Sequence, residues 1–127
     1  MANEHVLVIE DNEKNRKLAR DILEFRGYRV SVAESAEAGL ALAGTDPPDL
    51  VVMDIQLPGM NGIEALGRLR GDEATRAIPV VAFTASVMPG DRHTIMGAGF
   101  DAFLSKPIAM KEFTETVAAQ IAARERK

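Results

Sequence analysis

Cysteine is absent from this 127-residue sequence, which removes disulfides, thiolate nucleophiles and Cys-ligated zinc together and leaves oxygen or His to hold any metal. No apolar run reaches the length needed to span a membrane. The first residues, MANEHVLVIE, lack the basic start and small-residue cleavage site of a signal peptide, so a cytoplasmic protein without membrane association is expected. Long basic clusters are missing too, apart from the tail ARERK at Ala123 to Lys127, and the formal charge is -4. Direct binding to a nucleic-acid backbone is therefore not expected. Internal repeats and low-complexity tracts are likewise absent, and TDPPDL is too short to be more than a connector. What is present is an ordinary globular balance of 46% hydrophobic and 27% charged residues, on a length that accommodates one domain, 1–127, with no separate output domain.

Five short β-type runs punctuate the chain: HVLVIE from His5, YRVSVA from Tyr28, DLVVMD from Asp49, PVVAFT from Pro79 and AFLSK from Ala102. Helical or turn-rich sequence separates them, the alternation of a parallel α/β sheet. Leu18, Ile22 and Phe25 recur at i, i+4 and i+7, with Ala19 and Leu23 beside them, and predict the buried stripe of a first helix, with Gly27 as its stop. Similar spacing in Ala36, Leu40 and Ala43, in Ile63, Leu66 and Leu69, and in Met110, Phe113, Val117 and Ile121 predicts three more helices. The segment Asp91 to Gly99 is the weakest helix, because Gly97 and Gly99 each cost helical stability. The first, third and fourth runs are continuously apolar, as central strands covered on both faces must be, whereas the second alternates and the fifth is short. The predicted architecture is a flavodoxin-like (βα)5 three-layer sandwich with sheet order 2-1-3-4-5, whose ligand crevice lies beyond the carboxyl ends of strands 1 and 3.

The residues at those ends carry the chemistry. Strand 1 runs into Glu10 and Asp11, strand 3 into Asp54, strand 4 into Thr84 and strand 5 into Lys106-Pro107. Carboxylates gathered at one sheet edge raise one another's pKa, and a hard divalent cation such as Mg²⁺ (or Mn²⁺) relieves the repulsion while leaving room for a phosphoryl oxygen. Lys106 and Thr84 then supply a cation and a hydroxyl for the remaining oxygens, and Asp54 is left as a nucleophile that would form an acyl phosphate. The plainer roles are compatible or weaker: Asp11 and Asn12 as helix caps, Gly59 and Gly62 as turn residues, Asn15 and Arg16 as a solvated helix face. His5 and His93 are expected as ordinary surface or strand-edge residues, with no second His at metal spacing.

With VIEDN, VVMDIQLPGMNG, VVAFTA and SKP in this order on these strand ends, the chain resembles the receiver domains of two-component response regulators over essentially its whole length. The finer texture of MDIQLP, MPGD and SKPI is similar to that of stand-alone regulators of the bacterial cell cycle. The resemblance implies that Asp54 accepts a phosphoryl group from a histidine kinase or histidine phosphotransferase, with Glu10, Asp11, Asp54 and the backbone carbonyl of Gln56 serving Mg²⁺. It implies further that Thr84 and Lys106 contact the phosphoryl group, that Thr84 and Phe103 form a two-state switch, and that Gln56 and Ser86 tune the acyl-phosphate lifetime. Such a protein is no enzyme beyond its own phosphorylation and dephosphorylation. It controls a separate effector through the face of helix 4, strand 5 and helix 5. Two alternatives are an intermediate phosphoryl carrier in a relay and a receiver segment of a hybrid kinase. An aspartyl-nucleophile hydrolase of the haloacid dehalogenase type would need a second carboxylate two residues after the nucleophile, where Gln56 stands. A flavin or nucleotide module would not place the acidic EDNEKN where a phosphate loop belongs.

Overall fold

A computed structural model describes residues 4–85 and 89–125 of the chain, with the side chains of 89–92 and 125 left outside the description. Strands β1 (His5–Ile9), β2 (Arg29–Ala33), β3 (Leu50–Asp54), β4 (Val80–Thr84) and β5 (Ala102–Ser105) form one parallel sheet in the order β2-β1-β3-β4-β5. Between and after them run α1 (Glu13–Phe25), α2 (Ala36–Thr45), α3 (Gly62–Gly71), α4 (Pro89–Gly97) and α5 (Met110–Glu125). The expected strands, their order and the five helices all stand.

The strand pleat divides the core in two. Leu7, Ile9, Val51, Met53, Val80 and Ala82 face the layer of α2, α3 and α4, while Val6, Val8, Leu50, Val52, Val81 and Phe83 face α1 and α5. This two-sided burial is why the central runs are apolar at every position. Asparagine and serine set three helix starts: Asn12, Ser35 and Asn61 each accept the backbone N–H three residues on, capping α1, α2 and α3. Gly27, at φ 95°, ends α1 as expected, with the Tyr28 N–H bonded back to the Leu23 carbonyl.

Several expected core positions turn out otherwise. Phe25 is 88% exposed and Leu18 45% exposed; of the expected α1 stripe, Ile22 and the neighbouring Ala19 and Leu23 are the residues that are buried. Met110 and Ile63 also stand out into solvent at the first turns of α5 and α3, while Phe113, Val117, Ile121, Leu66 and Leu69 are buried as expected. His5 is not a surface residue: it is 4% exposed, with Nε2 2.7 Å from the Ser31 hydroxyl and its backbone N–H donating to Asp49 Oδ2. Parallel pairing places His5 beside Arg29 on the edge strand, so the ring is covered by β2 and by the α2–β3 connection that carries Asp46 and Asp49.

Candidate functional site

The candidate residues converge at the carboxyl end of the sheet. Asp54 is the last residue of β3 and only 3% exposed. One of its oxygens, Oδ1, accepts the Gln56 backbone N–H at 2.9 Å; the other, Oδ2, accepts from Lys106 Nζ at 2.9 Å. Glu10 follows β1, tied to the sheet by its own N–H on the Ala33 carbonyl, and its side chain is buried. Its Oε2 accepts the Asn12 N–H at 3.0 Å. Its Oε1 lies 2.7 Å from the Lys106 ammonium, an ion pair. Asp11 is exposed at the rim, and oxygens of Glu10, Asp11 and Asp54 all come within 4.8 Å of one another.

Lys106 is therefore one positive charge set between two buried carboxylates, with its Nζ also 5.2 Å from the Phe83 ring centroid. Burial alone would lower the Lys106 pKa, but Glu10 and Asp54 outweigh it and hold the ammonium above its usual value. Burial has the opposite sense for Glu10 and, reinforced by the neighbouring Asp54 and only partly offset by Lys106 and the Asn12 N–H, pushes its carboxyl up to about 7. A cluster of hard oxygen donors with more carboxylate than ammonium, and with one carboxylate open at the rim, fits Mg²⁺ or Mn²⁺ and not a thiophilic metal.

Thr84 ends β4 and is buried, and its carbonyl accepts the Lys106 N–H at 2.9 Å, so the two residues are linked through the backbone. The Lys106-Pro107 bond is cis. Thr84 pairs with Ser105 and Ala82 with Phe103, which puts Thr84 and Phe103 on the same face of the sheet, two residues apart across neighbouring strands. Phe103 is half-buried against the α2–α4 side of the core. Ser86 lies outside the described residues.

Two features of the site were not legible as such in the sequence. Gly62, expected as a turn residue, opens α3, and a Cβ there would stand 2.8 Å from the Asp54 carbonyl oxygen and 2.8 Å from the Ile55 Cα. Its lack of a side chain lets the start of α3 lie directly against the backbone that bears Asp54. Gly59, at φ 76°, is the one that serves the turn. Arg16, expected on a solvated face, is half-buried and donates from Nη1 to the carbonyls of Glu10, at 3.0 Å, and Asp11, at 3.4 Å. A lone Arg one turn into a helix carries no signal for such a contact.

The sequence pattern of the response regulator receiver domain matches residues 6–118. The chain belongs to that family. Among curated relatives, the receiver is 46% identical over 112 residues to the polar-differentiation response regulator DivK of Brucella ovis, covering 88% of this chain and 91% of that one. The Brucella anthropi protein of the same description is 44% identical over the same length. Among solved structures, a CheY-like receiver domain protein from Methanospirillum hungatei superposes with a TM-score of 0.89 at 26% identity, covering 98% of each chain. The receiver domain of a sensor histidine kinase from Pseudomonas aeruginosa, with a magnesium ion coordinated in its active-site cleft, gives 0.88 at 30% identity over 95% of this chain and 99% of that one. Membership makes this a signalling protein of two-component systems, working between kinases and downstream effectors, and receivers of the family bind Mg²⁺ at an acidic site such as the one formed here. No helix among the described residues is long and apolar enough to cross a membrane.

Proposed function

We propose that the chain is a phosphorylation-dependent switch in which Asp54 accepts a phosphoryl group from a phosphohistidine of a histidine kinase or histidine phosphotransferase. The observation that carries this reading is the buried Asp54 held between the Gln56 N–H and the Lys106 ammonium beside two further carboxylates. An Asp54 oxygen attacks phosphorus, the phosphorus–nitrogen bond of the donor breaks, and the imidazole leaves with the electron pair. Glu10, Asp11, Asp54 and the Gln56 carbonyl would hold Mg²⁺, which when bound neutralises charge on the transferring group. Lys106 then turns from the Asp54 carboxylate to a phosphoryl oxygen, and the Thr84 hydroxyl donates to another. Drawing Thr84 inward vacates space on the face it shares with Phe103, and a shift of that ring carries the signal to α4, β5 and α5. By the family resemblance, Gln56 and Ser86 would set the lifetime of the acyl phosphate. As a receiver unit, the protein acts on an effector protein in the cytoplasm.

Intact mass after incubation with a small acyl-phosphate donor tests the reading. One phosphoryl added to the wild type only when Mg²⁺ is present, and none to Asp54→Asn, is the expected outcome. No addition to folded wild-type protein at any Mg²⁺ concentration would overturn it.

A further inference from the structure

Arg16 is a charged side chain beside the site that the phosphoryl-transfer scheme leaves unused. It projects from the second turn of α1 back over the β1–α1 turn, and its Nη1 reaches the carbonyls of both residues whose side chains are the first two carboxylates of the acidic cluster. The other fastenings of that turn lie to either side of these carbonyls. The Glu10 N–H is in the sheet, the Asn12 N–H is on Glu10 Oε2, and the Asn12 side chain and carbonyl belong to the start of α1.

We propose that Arg16 is a positioning residue for the acidic cluster: by holding the Glu10 and Asp11 carbonyls from α1, it fixes the backbone from which both carboxylates project and so raises the affinity for a divalent cation. This rests on the receiver reading above. Geometry and charge give opposite signs, which makes the role measurable. A guanidinium is itself a cation, and as a charge alone it repels a second cation, so its removal would tighten binding. As a fastener of ligand-bearing backbone, its removal lets Asp11 and Glu10 spread over more conformations, each of which must be re-ordered when the ion binds. The guanidinium bonds the backbone and not the carboxylates, so the loss belongs at the low end of what outer-shell partners contribute, roughly 10-fold in affinity.

The test is calorimetric titration of the full chain with MgCl₂, on wild type, Arg16→Ala and Arg16→Lys. Weaker binding in Arg16→Ala by about 10-fold, with partial recovery in Arg16→Lys, whose ammonium reaches one carbonyl and keeps the charge, is the expected result. Phosphorylation from a small acyl-phosphate donor should then need more Mg²⁺ for half-maximal rate in Arg16→Ala while the maximal rate stays near wild type, a split that general destabilisation would not produce. Equal or tighter Mg²⁺ binding by folded Arg16→Ala overturns the inference and leaves the receiver reading intact if the wild type still takes up Mg²⁺ and phosphoryl. A wild type that binds no Mg²⁺ overturns both. Should Arg16→Ala not fold, Arg16→Lys decides alone: weaker Mg²⁺ binding than wild type supports the positioning role and unchanged binding rejects it.

Discussion

At the scale of single residues, two buried titratable groups at opposite ends of the sheet pull stability in opposite directions with pH. Glu10 titrates at about 7 in the fold against 4.5 ordinarily, so between those values the native state holds a proton that the unfolded chain has released. Its contribution is complete below 4.5 and is lost as pH rises through about 7. His5, held below 6.5 first by burial and then by the Arg29 charge, contributes stability above 6.5 that is lost as pH falls below that value. Urea midpoints measured in chelator from pH 4.5 to above 7 should therefore gain a shallower loss toward high pH when Glu10 is replaced by Gln, while the loss on the acid side of 6.5 persists. The same protonation competes with Mg²⁺, so metal affinity should rise with pH toward 7 in the wild type and flatten in Glu10→Gln. An unchanged pH slope in Glu10→Gln would show that the carboxyl ionises as an ordinary surface group does.

Among the elements, α3 carries the most specific constraint. Gly62→Ala places a methyl against fixed backbone at Asp54 and Ile55, where no side chain can turn aside, and should destabilise by about 1–3 kcal/mol. The strain falls on the residue proposed as acceptor, so Gly62→Ala should also slow phosphorylation of Asp54. Gly59→Ala, strained only in a surface turn by its φ of 76°, should lose about 1 kcal/mol and leave that rate near wild type. Chemical denaturation and intact-mass kinetics on the pair check both statements; equal effects on rate would undo the distinction. These glycines also mark what the sequence makes legible. Strands of continuous Val, Leu and Ile and the Asn12 cap announce themselves by composition, and the strand-end position of Asp54, Thr84 and Lys106 follows from the runs that precede them. The buried face of α1 was less legible, because Leu18 and Phe25 complete a helical spacing as well as Ala19 and Leu23 do, and only the seating of the helix on β1 and β2 chooses between them. His5 gave no sign of burial, since the groups that enclose it come from β2 and from the connection ahead of β3. Close approaches such as Gly62 to Asp54 and Arg16 to Glu10 depend on how separate elements meet, which no local pattern encodes.

Taken as a whole, the molecule gathers three carboxylates and an ammonium at the carboxyl end of its sheet. A ligand that binds only the folded state stabilises it by mass action, about 2.7 kcal/mol at a concentration one hundred times the dissociation constant. Adding Mg²⁺ should therefore raise the Tm, by roughly 2–8 °C for each kcal/mol gained. Chelator should reverse the rise, and Asp11→Asn should reduce it. An identical Tm with and without the ion at neutral pH would contradict the metal assignment.

The register of β3, β4 and β5 also arranges the reactive groups as a flight of steps. Asp54 stands level with Phe83, Thr84 is one residue further along, and Lys106 one residue beyond the Ser105 that pairs with Thr84. Each tread is thus set back by about 3.3 Å along the chain direction and by about 4.8 Å across the sheet. The backbone bond from Lys106 to Thr84 keeps the upper two treads from shifting independently. On the reading proposed above, Asp54 as acceptor occupies the lowest tread, and a donor aligned with the strand axis meets the levels of Lys106 and Thr84 before that of the carboxylate it phosphorylates.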